Sequence, residues 1–124
     1  MSDKVIRIAR DEDVLELAAL KSRHVRMLYR GFLPYALLAY AEPGSYIQLF
    51  RDWVNHDCLR LDVLMMEGKL RGYVVYGPEQ AEQGYGLVQE AALDVTCDRY
   101  DYRFLYDHAL TALREKDYHQ VHQW

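Results

Sequence analysis

Glu90 is the side chain whose neighbours best suit it for chemistry. It interrupts an apolar run of Leu87, Val88, Ala91, Ala92, Leu93 and Val95. A carboxylate in such company can take a proton from an amine. The same pattern fits a glutamate held in an ion pair or facing a sheet edge, and the two readings stay open. Asp94 breaks the run too, with a weaker case. Cys97 lies near a helix start, where a thiol can be activated, but no nucleophile signature of the G-x-S-x-G kind is present. His119 and His122 are three apart. On a strand they point to opposite faces, so no metal site is predicted.

Three elements must position these groups. The apolar run reads as a strand buried on both faces. Thr96, Cys97, Asp98 and Arg99 break it. Tyr102, Leu105, Tyr106, Ala109, Leu110 and Leu113 then recur at helical spacing, which gives one apolar face. A strand leading into a helix N-terminus is a natural place to hold an anion, because the first-turn N–H groups lack intrahelical partners.

Around this centre the spacing predicts a strand over Val5 to Ala9, then a helix capped by Asp11 or Asp13. Basic residues Arg23, His24, Arg26 and Arg30 gather towards its end. Gly31 and Pro34 break the chain before a short apolar helix from Tyr35 to Tyr40. Ser45 and Gln48 form a predicted capping box. Behind it Tyr46, Leu49, Phe50, Trp53 and Val54 form an amphipathic stripe. Leu59, Leu61, Val63 and Met65 alternate with Arg60 and Asp62, as in a half-buried strand. Glu67-Gly68 is a predicted hairpin turn into the partner strand Leu70 to Tyr76. Gly77 to Gly86 reads as a loop, and Tyr118 to Trp124 as the start of a last strand.

Composition narrows the function classes. A chain of 124 residues predicts one domain, residues 1–124. The net charge of −4 gives no basic footprint for nucleic acid. No apolar run approaches the roughly 20 residues of a membrane span. The N-terminus leads straight into a strand pattern, so no signal peptide is expected. Cys58 and Cys97 are the only cysteines and stand far apart; free thiols in a cytoplasmic protein are the expectation. Tyrosine, at 11 residues, is abundant enough to point towards an interface or a pocket.

The order strand, helices, hairpin, buried strand, helix, strand resembles the GNAT family, the GCN5-related N-acetyltransferases. The residues that carry the resemblance are Ile6-Arg7-Ile8-Ala9-Arg10-Asp11-Glu12-Asp13, Leu28-Tyr29-Arg30-Gly31-Phe32-Leu33-Pro34 and Glu67-Gly68-Lys69-Leu70-Arg71-Gly72-Tyr73. It covers nearly the whole chain. It implies an α/β (α+β) fold: a mixed, mostly antiparallel sheet with helices on both faces. It implies acetyl-CoA as cosubstrate and no metal. Main chain near Leu93 and Val95 would pair with the pantetheine arm. Tyr100, Arg103 and Tyr106 fall in the diphosphate-binding motif. An amine would enter past Tyr29 and Phe32, with Glu90 as base.

The motif itself departs from the family pattern, Q/R-x-x-G-x-G/A. Tyr102, Phe104 and Tyr106 occupy the positions of its glycines, and Asp101 that of its basic or amide residue. Rings stand where a diphosphate needs bare backbone, and a carboxylate stands beside the anion. Family members also continue beyond the point where this sequence ends, with a further helix and strands. The expectation is a fragment, or a sheet completed by a second copy. Two functions follow. One is a non-catalytic binding or dimerisation module with weak or lost acetyl-CoA binding. The other is an active N-acetyltransferase on a small-molecule or peptide amine.

Overall fold

The structure, a computed structural model, describes residues 4–28, 43–78, 85–115 and 120–122, with the backbone alone at 28, 43 and 120–122. Tyr29, Phe32 and the predicted helix from Tyr35 to Tyr40 lie outside the described residues. In chain order come β1 (Lys4–Ile8), α1 (Val14–Leu28), α2 (Ile47–Val54), β2 (Arg60–Met66), β3 (Lys69–Pro78), β4 (Tyr85–Leu93), α3 (Arg99–Glu115) and β5 (Gln120–His122). The strands lie in sequence order in one sheet. β1 to β4 pair antiparallel, and β5 joins β4 in parallel.

The sheet is sandwiched. On one side α1 and α2 bring Val14, Leu17, Phe50 and Trp53 against Leu61, Val63, Tyr73 and Val75. The rings of Phe50 and Tyr73 meet edge to face at 5.1 Å. On the other side α3 lays Leu105, Ala109 and Leu113 on Leu64, Val74, Tyr76 and Val88. The mixed sheet with helices on both faces is therefore as expected. β2 is not half-buried: Leu61, Asp62, Val63 and Leu64 are all buried, because both layers cover it. β4 departs the other way. Val88 and Ala92 are buried, while Gln89 is exposed and Glu90 half-buried, since the helical layers centre on β2 and β3.

Local chemistry sets the ends of the elements. Glu67 and Gly68 both take positive φ, 54° and 77°, which is the two-residue hairpin turn the sequence predicts. Asp13 closes the entry to α1 by accepting the Arg10 N–H at 2.8 Å and both Arg7 guanidinium nitrogens at 2.7 and 2.9 Å. The predicted Ser45–Gln48 capping box does not form. The chain enters α2 through a 3-10 turn, Pro43–Tyr46, and the Gln48 amide instead donates to Asp52 one turn on, at 2.8 Å. Gly77 and Pro78 belong to β3 and Tyr85 and Gly86 to β4, so both strands reach into the predicted loop.

A bulge in β4 matters for the site. Val75 pairs with Glu90 and Tyr76 with Val88, so Gln89 is an extra residue. Val88 faces α3, and beyond the bulge Glu90 faces α1.

Candidate functional site

Glu90 points at α1. Its two carboxylate oxygens each lie 2.7 Å from the Lys21 ammonium, and the Tyr73 hydroxyl donates to Oε2. The carboxylate is thus ion-paired, the plainer of the two sequence readings. Burial and the adjacent Glu90 charge push the Tyr73 phenol far up, so it stays a hydrogen-bond donor. Tyr46 presents its ring to the Lys21 ammonium, 5.2 Å from the centroid. Burial lowers the pKa of the neighbouring His24 imidazole, against the pull of Glu90. Any amine approaching Glu90 has to compete with Lys21 for it.

The second corner lies where β4 hands over to α3. The Asp94 N–H donates to the Arg71 carbonyl at 2.7 Å, and Cys97 N–H returns to Asp94 O at 3.0 Å, closing a turn. The Thr96 N–H on the Asp94 carboxylate, with Thr96 Oγ1, Arg23 and Arg71, holds that carboxyl below the ordinary value. Leu93 ends the strand. Val95 does not lie on it, as the sequence reading had it; it sits on the turn, 66% exposed. β5 pairs with β4 at Tyr85, Gly86 and Leu87, and past Leu87 no strand flanks that edge among the described residues. Burial raises the Cys97 thiol pKa, contrary to activation by the helix start.

α3 begins at Arg99, so the whole stretch from 100 to 106 is helical. Asp98 is its cap: Oδ1 accepts the Tyr100 N–H at 2.9 Å and the Asp101 N–H at 3.0 Å. Asp101 replies, accepting the Asp98 N–H at 3.0 Å. This is a reciprocal capping box. The Tyr102 N–H donates to Asp98 O at 3.1 Å. Asp101 does not stand open to an anion, as its position in the motif had implied. It is 4% exposed, and Lys4 Nζ lies 2.5 Å from Oδ1. That Lys4 bond, before any other contact, holds the Asp101 carboxyl low.

Tyr100, Arg103 and Tyr106 do come together. With Arg99, Tyr102 and Asp107 they line a cleft of about 520 Å³. The Tyr102 and Tyr106 rings stack at 5.5 Å, and the Arg99 guanidinium lies over the Tyr100 ring at 5.2 Å. This cleft runs along the flank of α3, and Leu93 and Val95 do not line it among the described residues. His119 is outside the described residues, and no cluster of three metal-ligating side chains occurs among those described.

Sequence reasoning missed Lys4, Lys21, Tyr73 and Asp98. Asp98 was visible in the D-x-x-D spacing to Asp101. The other three act over long separations, with no local pattern to mark them.

No protein-family model matches the chain, and no curated protein matches it by sequence. Solved structures do match. A PaiA N-acetyltransferase from Thermoplasma acidophilum, in complex with coenzyme A, superposes with TM-score 0.73 at 11% identity, over 94% of this chain and 75% of that one. A ribosomal-protein-alanine N-acetyltransferase from Brucella melitensis gives 0.71 at 19% identity, over 96% and 72%. A GNAT family acetyltransferase from Staphylococcus aureus gives 0.68 at 16%, over 100% and 87%. At these identities the likeness is one of architecture. The chain has the GNAT acetyltransferase fold. No helix among the described residues is long and apolar enough to cross a membrane.

Proposed function

We propose that this GNAT-fold chain is a non-catalytic binding or dimerisation module with weak or lost acetyl-CoA binding. One observation carries the reading. Two open first-turn amides of α3, at Tyr100 and Asp101, are already satisfied by the Asp98 carboxylate. Open first-turn amides are the donors a helix N-terminus offers a diphosphate. A diphosphate here would have to displace a carboxylate from its own helix cap. It would also meet Tyr102 and Phe104 in place of the motif's glycines. The residues present do not fit the diphosphate of acetyl-CoA. The Tyr100–Arg103–Tyr106 cleft is one surface open to a partner.

The test is a calorimetric titration of the full chain with acetyl-CoA. No saturable heat is expected up to about 1 mM, and a micromolar Kd overturns the reading. The alternative is an acetyl-CoA-dependent N-acetyltransferase on a small-molecule or peptide amine, with Tyr29 and Phe32 at the amine entrance and Glu90 as base. What favours it is the edge of β4, which no described strand flanks past Leu87, beside Glu90. Micromolar binding, together with amine-dependent thiol release that Glu90→Gln abolishes, would establish it.

A further inference from the structure

We infer that β1 is a self-association edge, on which a second copy of this chain adds its own β1 antiparallel to extend the sheet. Among the described residues β1 ends the sheet, and its pairing with β2 is regular from Lys4 to Ile8, without a bulge. The Ala9 N–H bonds to Leu61 O. By the alternation of an antiparallel ladder, Arg7 and Val5 then bond inward, and Lys4, Ile6 and Ile8 turn their backbone groups outward.

Sheet edges are ordinarily guarded by a charge, a proline or a bulge. β1 contains no proline, and both of its charges are spent inside the chain. Lys4 pairs with Asp101 at 2.5 Å and Arg7 with Asp13 at 2.7 Å. The most exposed side chains of the strand are apolar: Val5 is 54% and Ile8 52% exposed, against 26% for the paired Lys4 and Arg7 side chains. Beside the strand, Ile6 and Phe104 line a groove of about 630 Å³ with the flank of α3.

The neutralised edge selects a second copy as occupant, because it is complementary to itself. A two-fold axis at Ile6 sets Ile6 against Ile6 of the partner subunit and Lys4 against Ile8 of the partner subunit. Outward donors then meet outward acceptors without bringing free like charges together. One acceptor on this edge, the Ile8 carbonyl, already takes an Arg7 nitrogen at 3.1 Å, so that bond is shared or exchanged.

The experiment is sedimentation of the full chain across concentration, read with amide hydrogen exchange. A dimer is expected, with concentration-dependent protection of the Ile6 and Ile8 amides. Ile8→Lys, at an exposed position, restores a guard charge. It should raise the dimer dissociation constant at least about tenfold while leaving helical content unchanged. Ile6→Pro should do the same by deleting an outward donor. A monomer at all concentrations overturns the inference. So does a dimer that survives Ile8→Lys with those amides exchanging freely, since that dimer forms elsewhere. Self-association through β1 rests on the dimerisation half of the proposed function and not on its acetyl-CoA half, so a monomer defeats it while the acetyl-CoA titration is read separately.

Discussion

The two faces of the sheet carry two acid clusters built from the same parts. On the α1 side, Glu90 receives the Tyr73 hydroxyl and the Lys21 ammonium. On the α3 side, Asp62 receives the Tyr76 hydroxyl at 2.6 Å. It also receives Arg60 Nε at 2.8 Å and stands 2.7 Å from His108 Nε2. Tyr73 and Tyr76 are three apart on β3 and so face opposite ways. The difference is access. The Asp62 side chain is wholly buried, and the Glu90 side chain is 30% exposed. The Asp62 cluster ties α3 to β2 and works as structure. The Glu90 cluster can still meet a ligand.

Removing each carboxylate tests that division most directly. Asp62→Ala leaves Arg60, Tyr76 and His108 without their shared acceptor and should cost about 3–5 kcal/mol in a denaturant melt. Glu90→Ala should cost about 1–2 kcal/mol, because the pair is open to water on the Glu90 side, 30% exposed, and solvent can fill the place the carboxylate leaves beside Lys21. Equal losses would erase the distinction. The paired Tyr→Phe changes sharpen it at lower amplitude. Tyr76→Phe should cost about 1–2 kcal/mol. Tyr73→Phe should cost less, since Glu90 keeps both Lys21 contacts and some solvent.

The smallest effect is in pH. His24, beside the Glu90 cluster, has its folded pKa lowered from 6.5 by burial. The folded state therefore binds protons less readily, and stability present above about pH 6.5 declines as pH falls through that range. Asp13, Asp94 and Asp101 are lowered from 3.8. Their contribution is complete above that value and lost below it. Tm should slope gently below about pH 6.5 and steeply below about pH 4, and His24→Gln should flatten the first limb alone.

These contrasts show what a sequence can disclose. The hairpin at Glu67-Gly68 and the amphipathic helix from Tyr102 to Leu113 were legible because their signals are local and periodic. Asp62 was misleading. A polar residue alternating with leucines reads as solvent-facing, and only the layer added by α3 buries it. Glu90 was found as a candidate, but its pairing with Lys21, 69 positions away, was not. The α3 corner was half legible. The lost glycines are plain in the chain, but the sequence reading put Asp101 beside a bound anion. Lys4 on β1 pairs with it instead.

The extra residue in β4 has a consequence for parity. Strand side chains alternate, so Val88 and Glu90 would share a face in an unbroken ladder. The inserted Gln89 cancels one step of that count. It hands the acid to the α1 layer while leaving Val88 under α3. Which half of the molecule owns this charge is thus decided by an uncompensated unit of chain length rather than by the kind of residue at position 90.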